Sequence, residues 1–513
     1  MPNKAIGTSK GGLLSNSRWN LLAFGIALIA QFLSIPFVVR WIGLEEFGIA
    51  AVLIAVCAPM TLIGTVLGQA LTREVASSAT IDDLSLSRMV AATLRLGLIS
   101  CGGGAILLLC VAPFIAHRLI GSSVQVTTFD YVAPLLIVTA GCIAQQVSLI
   151  LQGISAAKQD YRSIAFITLF SAVAGTGVTL ILTRLLPSST GYLLGLSSSF
   201  GITMVIWFFR WRSSIDWHQV LTSGHAATSA PLMRFGKWQG LAQLAGMLGN
   251  QIDRYALGVL APVTIVGQYS IANRLQEAAY IGVVKVGEVL FPRFGAMSDH
   301  SLPERQQFFQ LCSWSLGVIS TSMLVPLALL AHDVLSLWVG KEVAAGGDRI
   351  LVVLVLGGVV GAASNVFTYY AMGMARNVAV AAISVLFSVL TVSLTVIFIA
   401  TIGAAAAGVG LLLASIARVA ASMILTRRIF FPSLLWKDLF VSTALPVGIG
   451  IAVTILCRNF VDFNVNSWFS LIPIYAALAT LIMAICVALS CLTSCGREFI
   501  QLIASSIKRH RYP

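Results

Sequence analysis

Apolar runs of about twenty residues, separated by short polar segments, recur along the whole chain. A helix of that length crosses the hydrocarbon core of a bilayer and satisfies its own backbone hydrogen bonds there. The alternating segments of about ten residues that form membrane β-barrels do not occur in the pattern. We therefore predict an all-α integral membrane protein with about 14 transmembrane helices, at Asn20–Trp41, Phe47–Leu71, Met89–Ala116, Tyr131–Leu151, Ile164–Leu185, Gly191–Phe209, Phe235–Leu260, Val266–Phe291, Leu311–Leu330, Ile350–Met372, Val378–Ala400, Gly403–Leu425, Leu439–Cys457 and Trp468–Leu492.

The seventh and eighth predicted spans are unusually polar for membrane helices. At about 100° per residue, the four charged residues of the eighth span fall on one stripe roughly 80° wide; they are Arg274, Glu277, Lys285 and Glu288. The seventh span carries a second polar stripe, within about 100° by the same arithmetic, formed by Gln239, Gln243, Asn250, Asp253 and Arg254.

These charges cannot face lipid. A charge at mid-membrane costs about 2.5–3.5 kcal/mol, so a stripe of four would cost about 10 kcal/mol. The stripe must therefore face a partner helix or water. Two interpretations are open: a self-neutralising ladder of salt bridges that only holds helices together, or the lining of a polar translocation cavity. We prefer the cavity.

Composition agrees with a membrane protein, because 58% of the residues are hydrophobic and only 10% are charged, against about 25% charged in soluble domains. The net charge of +13 is a topology signal. With the N-terminus inside, 21 of the 32 basic residues fall in cytoplasmic segments, where anionic lipid head groups attract them. Both termini are therefore predicted to be cytoplasmic, and no nucleic-acid partner is needed. The basic residues predicted on the outer side are Arg40, Arg118, Arg184, Lys341, Arg349 and Arg458.

Nothing in the sequence indicates a cofactor or a metal. The nine cysteines lie mostly inside apolar runs, with no Cys-x-x-Cys pair and no Cys/His cluster. The polar segment Met1–Arg18 has no apolar core, so it is not a cleavable signal peptide, and the first span is predicted to serve as an uncleaved signal.

The polar connection 210–234 divides the chain. We predict an N-terminal helical bundle of six spans over 1–209, a cytoplasmic linker over 210–234, a C-terminal bundle of six spans over 235–430, and two peripheral helices with a basic cytoplasmic tail over 431–513. The first hairpin of each half also looks alike. The segments 40–50 and 257–272 each end one helix near a Gly, turn, and start the next helix with an aliphatic or aromatic residue followed by Gly. Internal repeats of this kind are common in transporters.

Four segments together resemble the Wzx-type polysaccharide flippases, which move lipid-linked oligosaccharides and form a branch of the multidrug/oligosaccharidyl-lipid/polysaccharide exporter superfamily. They are the turn Gly43-Leu-Glu-Glu-Phe-Gly, the start of span seven at Phe235-Gly-Lys-Trp, the pair Asp253-Arg254, and Val266-Gly-Gln-Tyr-Ser-Ile-Ala-Asn-Arg-Leu. The resemblance covers nearly the whole chain in span number and layout.

The resemblance implies two pseudo-symmetric bundles around a central V-shaped cavity, with spans one and seven as gates. It implies flipping of an undecaprenyl-diphosphate-linked oligosaccharide from the cytoplasmic to the periplasmic leaflet of the bacterial inner membrane by alternating access, with a coupling ion, H⁺ or Na⁺, in some members. The family's cationic cavity maps onto Arg254, Arg274 and Lys285, with Asp253, Glu277 and Glu288 as counter-charges.

Further polar residues inside the spans are cavity candidates. Arg418 lies near the middle of its span, whereas Arg95 is close enough to the cytoplasmic side to extend its side chain to the interface. Gln31 shares a face of span one with Asn20 and Ser34. For the amides, hydrogen bonding between helices is the competing role. The remaining candidates are Gln145, Gln146, Gln152, Asn365, Tyr369 and Tyr370.

The alternatives within the superfamily are a multidrug or cation antiporter and a flippase for lipid II. A cationic drug would favour net negative charge in the cavity, whereas Arg418 makes the count of candidate charges positive. An enzyme is not expected, because no Gly-rich phosphate loop or catalytic triad is present; the short outer loops argue against a glycan polymerase. Partner proteins, such as a polysaccharide polymerase or glycosyltransferases docking on 210–234, stay open.

Overall fold

The computed structural model describes residues 10–77, 83–115, 129–158, 160–217, 253–254, 256–288, 290–297, 300–374, 376–402, 405–460, 465, 467–492 and 497. Within these ranges all regular secondary structure is helical. The helices are α1 (Lys10–Ser77), α2 (Asp83–Ile115), α3 (Phe129–Ala157), α4 (Tyr161–Leu185), α5 (Ser189–Trp211), α6 (Val263–Glu288), α7 (Leu290–Ala296), α8 (Leu302–Leu329), α9 (Ala331–Trp338), α10 (Lys341–Ala363), α11 (Asn365–Gly373), α12 (Asn377–Ile402), α13 (Ala405–Leu425), a π-helical turn (Thr426–Phe430), α14 (Trp436–Thr443), α15 (Leu445–Phe460) and α16 (Trp468–Cys491).

The predicted class, an all-α membrane protein, is confirmed. In the described residues ten helices are long and apolar enough to cross a membrane, and α14 with α15 forms an eleventh candidate that bends by 51°. The first of the ten, Gly25–Thr72, holds both of the first two predicted spans. The helix α6 is absent from this set, as its charges lead one to expect. Most of the seventh predicted span lies outside the described residues, so the count of 14 stays a prediction.

The turn between the first two spans is built around Gly43. Its φ of 82° and ψ of 168° interrupt α1, and positive φ costs glycine no steric strain. Glu46 then accepts a hydrogen bond of 2.7 Å from the backbone N–H of Ser189, at the start of α5. The rings of Phe47 and Tyr192 pack with centroids 6.0 Å apart. The turn is therefore held by the α4–α5 hairpin.

The chain divides into two compact units, residues 1–247 with 262–267, and residues 248–261 with 268–513. In the first unit, helices approach closely at glycines, as is common where apolar lipid gives no hydrophobic drive. A Cβ on Gly68 would lie 2.6 Å from the Leu149 carbonyl oxygen. Thr72 nearby donates a hydrogen bond of 3.0 Å to the Gly153 carbonyl. Small residues thus bring α1 and α3 together.

The two similar turns contact each other reciprocally within the first unit. A Cβ on Gly48 would overlap the carbonyl oxygen of Val263, and a Cβ on Gly267 would lie 2.6 Å from the carbonyl oxygen of Leu44. When the repeats are aligned on their glycines, Leu44 corresponds to Val263 and Gly48 to Gly267. Each turn therefore uses the same glycine and the same preceding carbonyl, which supports the internal repeat.

In the second unit, α8 is the most enclosed long helix after α10, and the last two spans cover part of it. Trp314 donates a hydrogen bond of 2.8 Å to the Ser490 hydroxyl, and Thr321 donates one of 3.3 Å to the Pro446 carbonyl. The helix α16 leaves most of its surface exposed, including Phe469 and Ile472. That distribution fits a helix with one side on α8 and the rest toward lipid.

Asp160 caps α4 on the predicted cytoplasmic side. Its carboxylate accepts a hydrogen bond of 3.2 Å from the Ser163 N–H and pairs with Arg210 at 3.1 Å. Burial raises the pKa of the Asp160 carboxyl, but the bonds from Ser163 and the Arg210 guanidinium outweigh burial and hold the pKa below its usual range. The charged form therefore stabilises the fold above the usual pKa of aspartate. That contribution is lost as the pH falls through the lowered pKa.

We predict that Asp160→Ala lowers the stability of the purified protein by about 1 kcal/mol, because the helix loses its N-cap. Asn caps helices about as well as Asp, so Asp160→Asn should lose less, and its stability should no longer respond to acid through this site. Thermal unfolding in detergent at several pH values measures both effects. Equal losses for the two variants would contradict the cap.

We also predict that Gly48→Ala and Gly267→Ala each destabilise the protein by about 1–3 kcal/mol, because the added methyl overlaps a carbonyl oxygen. The losses in the double variant should not add, since the two contacts are neighbours. Gly102→Ala is the matched control, because a Cβ on Gly102 has no heavy atom within 4 Å. Thermal unfolding of the four variants tests this, and an unperturbed Gly48→Ala protein would refute the close contact.

Candidate functional site

The charged stripe lies on one uninterrupted helix, α6. The side of α6 opposite Arg274 is buried, at Tyr269, Ala272 and Val283. Buried residues also occur near the stripe itself, since Ser270 is 2% exposed. The charged side chains are less enclosed: Glu277 is 53% exposed, and Arg274 and Lys285 are partly exposed.

The partners of Asp253 come from two other helices. The Tyr269 hydroxyl of α6 donates a hydrogen bond of 2.7 Å to Asp253 Oδ2, and the Thr395 hydroxyl of α12 donates one of 3.1 Å to Oδ1. All three side chains are buried. Gly410 of α13 allows Thr395 to sit close to that helix, since a Cβ there would lie 2.5 Å from Thr395 Oγ1. Asp253 is therefore a buried junction of the second unit.

Arg254 and Glu277 link the two polar stripes. The guanidinium of Arg254 lies 3.9 Å from Glu277 Oε1. Asn273, one turn before Glu277 on α6, donates a hydrogen bond of 2.8 Å to the same oxygen. One ion pair of the kind that the salt-bridge ladder requires is therefore present. Arg274 is not part of it, because among the described residues no acid forms an ion pair with Arg274.

The other predicted site residues are dispersed. Gln31 is exposed on α1, in the first unit. Glu288 ends α6, but its side chain lies outside the described set, as does Asn250. Arg418 lies in α13, with its guanidinium carbon 5.2 Å from the centre of the Phe387 ring. Lys285 lies eleven residues after Arg274, about 16 Å along α6.

Two of the other candidates are structural. Gln146 is buried in the first unit and donates its amide to the Met60 carbonyl, which is the interhelical role. Tyr370 is buried in an aromatic cluster beside the π-helical turn, where its ring packs edge-on against Phe294 and Phe430. Tyr269 and Thr395, by contrast, were missed by the sequence analysis. Tyr269 lay inside the quoted motif, but Thr395 gave no local signal.

No group of three His, Cys, Asp or Glu side chains that could hold a metal occurs in the described part of the chain. The arrangement that the described residues do provide is electrostatic. It consists of fixed cations on α6 and α13, with two acids engaged by donors of their own unit. Fixed cations of this kind are suited to interaction with anions.

Known proteins resemble the chain in both sequence and fold. The lipopolysaccharide biosynthesis protein WzxC of Escherichia coli (strain K12) is 22% identical over 64% of this chain and 63% of its own length. The chain thus matches less than two thirds of WzxC. The putative O-antigen transporter of Shigella flexneri is 23% identical over 67% of this chain and 81% of its own. Among solved structures, the lipid II flippase MurJ in an inward closed conformation superposes with a TM-score of 0.72 at 12% identity, covering 92% of this chain and 98% of MurJ.

The profile of one family, described as polysaccharide biosynthesis protein, matches residues 13–298, which is more than half of the chain. That range contains all four segments on which the resemblance was based. The superposition on MurJ shows the fold. The chain therefore belongs to the polysaccharide biosynthesis protein family, and its predicted resemblance to the Wzx-type flippases is confirmed.

Proposed function

We propose that the protein flips an undecaprenyl-diphosphate-linked oligosaccharide from the cytoplasmic to the periplasmic leaflet of the bacterial inner membrane, for the synthesis of a surface polysaccharide. Membership of the polysaccharide biosynthesis family and the names of the two sequence relatives support this substrate class. The distribution of basic residues supports cytoplasmic termini. The protein works by alternating access and catalyses no covalent step.

The observation that carries the proposal is the state of the charges on α6. Glu277 is held by Asn273 and Arg254, whereas Arg274 has no acidic partner in the described chain. A ladder that only joined helices would neutralise both signs. A partly exposed arginine without a counter-ion is instead ready to pair with an anion that arrives and leaves.

A lipid diphosphate matches that surface. It carries two or more negative charges, and guanidinium groups bind phosphate oxygens through short charge-assisted hydrogen bonds. Such bonds are strong where the local dielectric constant is low. A lipid II flippase would use the same chemistry, and the likeness to MurJ is one of fold alone at 12% identity. The names of the sequence relatives favour a polysaccharide precursor over lipid II.

In this proposal the acids of α6 balance charge and do not carry protons. Glu277 already has a cation as its partner, since the Arg254 guanidinium lies 3.9 Å from its carboxylate. The acids therefore balance charge when the cavity is empty. A coupling ion, H⁺ or Na⁺, would act elsewhere.

We predict that Arg274→Ala combined with Lys285→Ala lowers surface polysaccharide export at least about tenfold, because the cavity loses two fixed cations. The same positions changed to Lys and Arg, respectively, keep the charge and should retain most export. Polysaccharide at the cell surface, normalised to membrane protein level by immunoblot, gives the readout. Intact export at a normal protein level would leave only the ladder interpretation.

We predict that Glu277→Gln with Glu288→Gln leaves the pH dependence of flipping unchanged. Flipping of a fluorescent lipid-linked oligosaccharide in proteoliposomes, measured across a range of pH, gives the profile. A neutral amide cannot carry a proton, so a flattened or displaced profile would assign proton carriage to these acids.

A further inference from the structure

A second cationic feature lies inside the C-terminal unit, around Arg418 on α13. The side chain is only partly exposed, and its Nε is buried without a hydrogen-bond partner. Its guanidinium lies over the ring of Phe387 on α12, 5.2 Å from the ring centre. The Nε edge of the Arg418 guanidinium is therefore enclosed, while another part of the side chain is exposed at the surface of the structure.

Two phenols interact electrostatically with Arg418. They are Tyr280 of α6 and Tyr369 of α11. The Tyr280 hydroxyl accepts a hydrogen bond of 3.0 Å from Asn365, and the Tyr369 hydroxyl donates one of 3.3 Å to the Val284 carbonyl. Both hydroxyls are thus held in place by partners within the second unit.

A glycine on α6 allows one of these contacts. A Cβ on Gly287 would lie 2.7 Å from the Tyr369 ring, which is too short for a side chain. Gly287 therefore lets Tyr369 lie directly against α6, at the level of Lys285.

No acidic partner of Arg418 occurs among the described side chains, which do not include that of Glu288. The stretch 218–252, which the structure does not describe, has no Asp or Glu in its sequence. Enclosing a charge without a counter-charge is costly. A planar guanidinium with free donors is also the group best suited to an oxyanion, which it binds through two parallel hydrogen bonds.

We propose that Arg418, with Tyr280 and Tyr369, forms an oxyanion-binding site within the C-terminal unit, distinct from the stripe on α6. This proposal rests on the proposed function. The site would bind an anionic group of the transported glycolipid. That group is either a phosphate of the lipid carrier or the carboxylate of an acidic sugar. The aromatic rings around the cation suit a sugar face as well as a charge.

The competing explanation is that Arg418 only clips α12 to α13 by stacking on Phe387. The two explanations predict opposite results for Arg418→Met. A clip would lose stability when the charge is removed. If Arg418 instead serves binding at a cost in stability, the Arg418→Met protein should be as stable as the parent or more stable. The Met side chain has a similar length and fills the same enclosed position without a buried charge.

The test uses the full chain in lipid nanodiscs, carrying Arg274→Ala and Lys285→Ala so that Arg418 is the cation under study. Thermal unfolding is followed during titration with inorganic diphosphate, with glucuronate, or with chloride at matched ionic strength. A bound anion raises the melting temperature. We expect diphosphate or glucuronate to raise it beyond chloride, and the more effective anion identifies the group that binds.

Adding Arg418→Met should weaken the apparent affinity for that anion about tenfold or more, with an unliganded melting temperature no lower than before. Arg427→Met is the matched control, because Arg427 also stacks on an aromatic ring, 4.8 Å from the centre of Trp436, but in the π-helical turn. The control should keep the affinity within about twofold.

Three results would overturn the proposal. The first is that neither diphosphate nor glucuronate raises the melting temperature more than chloride does, and the second is that Arg418→Met leaves the affinity for the anion unchanged. The third is that Arg418→Met lowers the melting temperature while Arg418→Lys restores neither the melting temperature nor the affinity. Binding in nanodiscs requires no transport. Failure of the flippase proposal would therefore appear as intact export in the Arg274 and Lys285 variants, whereas failure of this site would appear in the titration alone.

Discussion

Hydrocarbon offers no hydrogen bonds, so a polar side chain inside a membrane helix bundle is costly unless the protein itself supplies a partner. The second unit supplies partners at three charged residues. Asp253 is held by two hydroxyls, Glu277 by an amide and a guanidinium, and Arg418 by the face of an aromatic ring. These contacts fix which faces of α6, α12 and α13 can meet.

The acidic and the basic residues of the second unit differ in how far they are paired, and this difference matters for the proposed function. The carboxylates of Asp253 and Glu277 are occupied by donors from their own unit. Arg274 and Arg418 have no such acidic partner in the described chain. Among the described residues the cations are therefore less neutralised than the acids, and the proposed anionic substrate rests on that difference. The equal count of acids and bases along spans seven and eight hides this, because counting does not show which charges are already paired.

Most of the fold could be predicted from the sequence, because the length of an apolar run and the 100° helical step are local properties. The break at Gly43 was visible for the same reason. The 51° bend between α14 and α15 was not visible. Nor was the interruption between α10 and α11 at Ser364, since packing against other helices decides where a long apolar run bends. In the site, the stripe followed from spacing alone. Thr395 did not, because it lies 142 residues from Asp253 and meets it only through the tertiary fold.

The reciprocal contact of the two glycine turns has a consequence for the origin of the chain. Leu44 meets Gly267 as Val263 meets Gly48, which is the pattern of an isologous interface between identical subunits. A half-length ancestor with one such turn would already carry both sides of this contact, and two copies could pair through it without any new surface. Since each predicted half begins with its chain on the same side of the membrane, fusing the copies would need no inversion. After the fusion, a substitution in one turn would have to be matched by a compatible residue in the other turn, because the two turns contact each other.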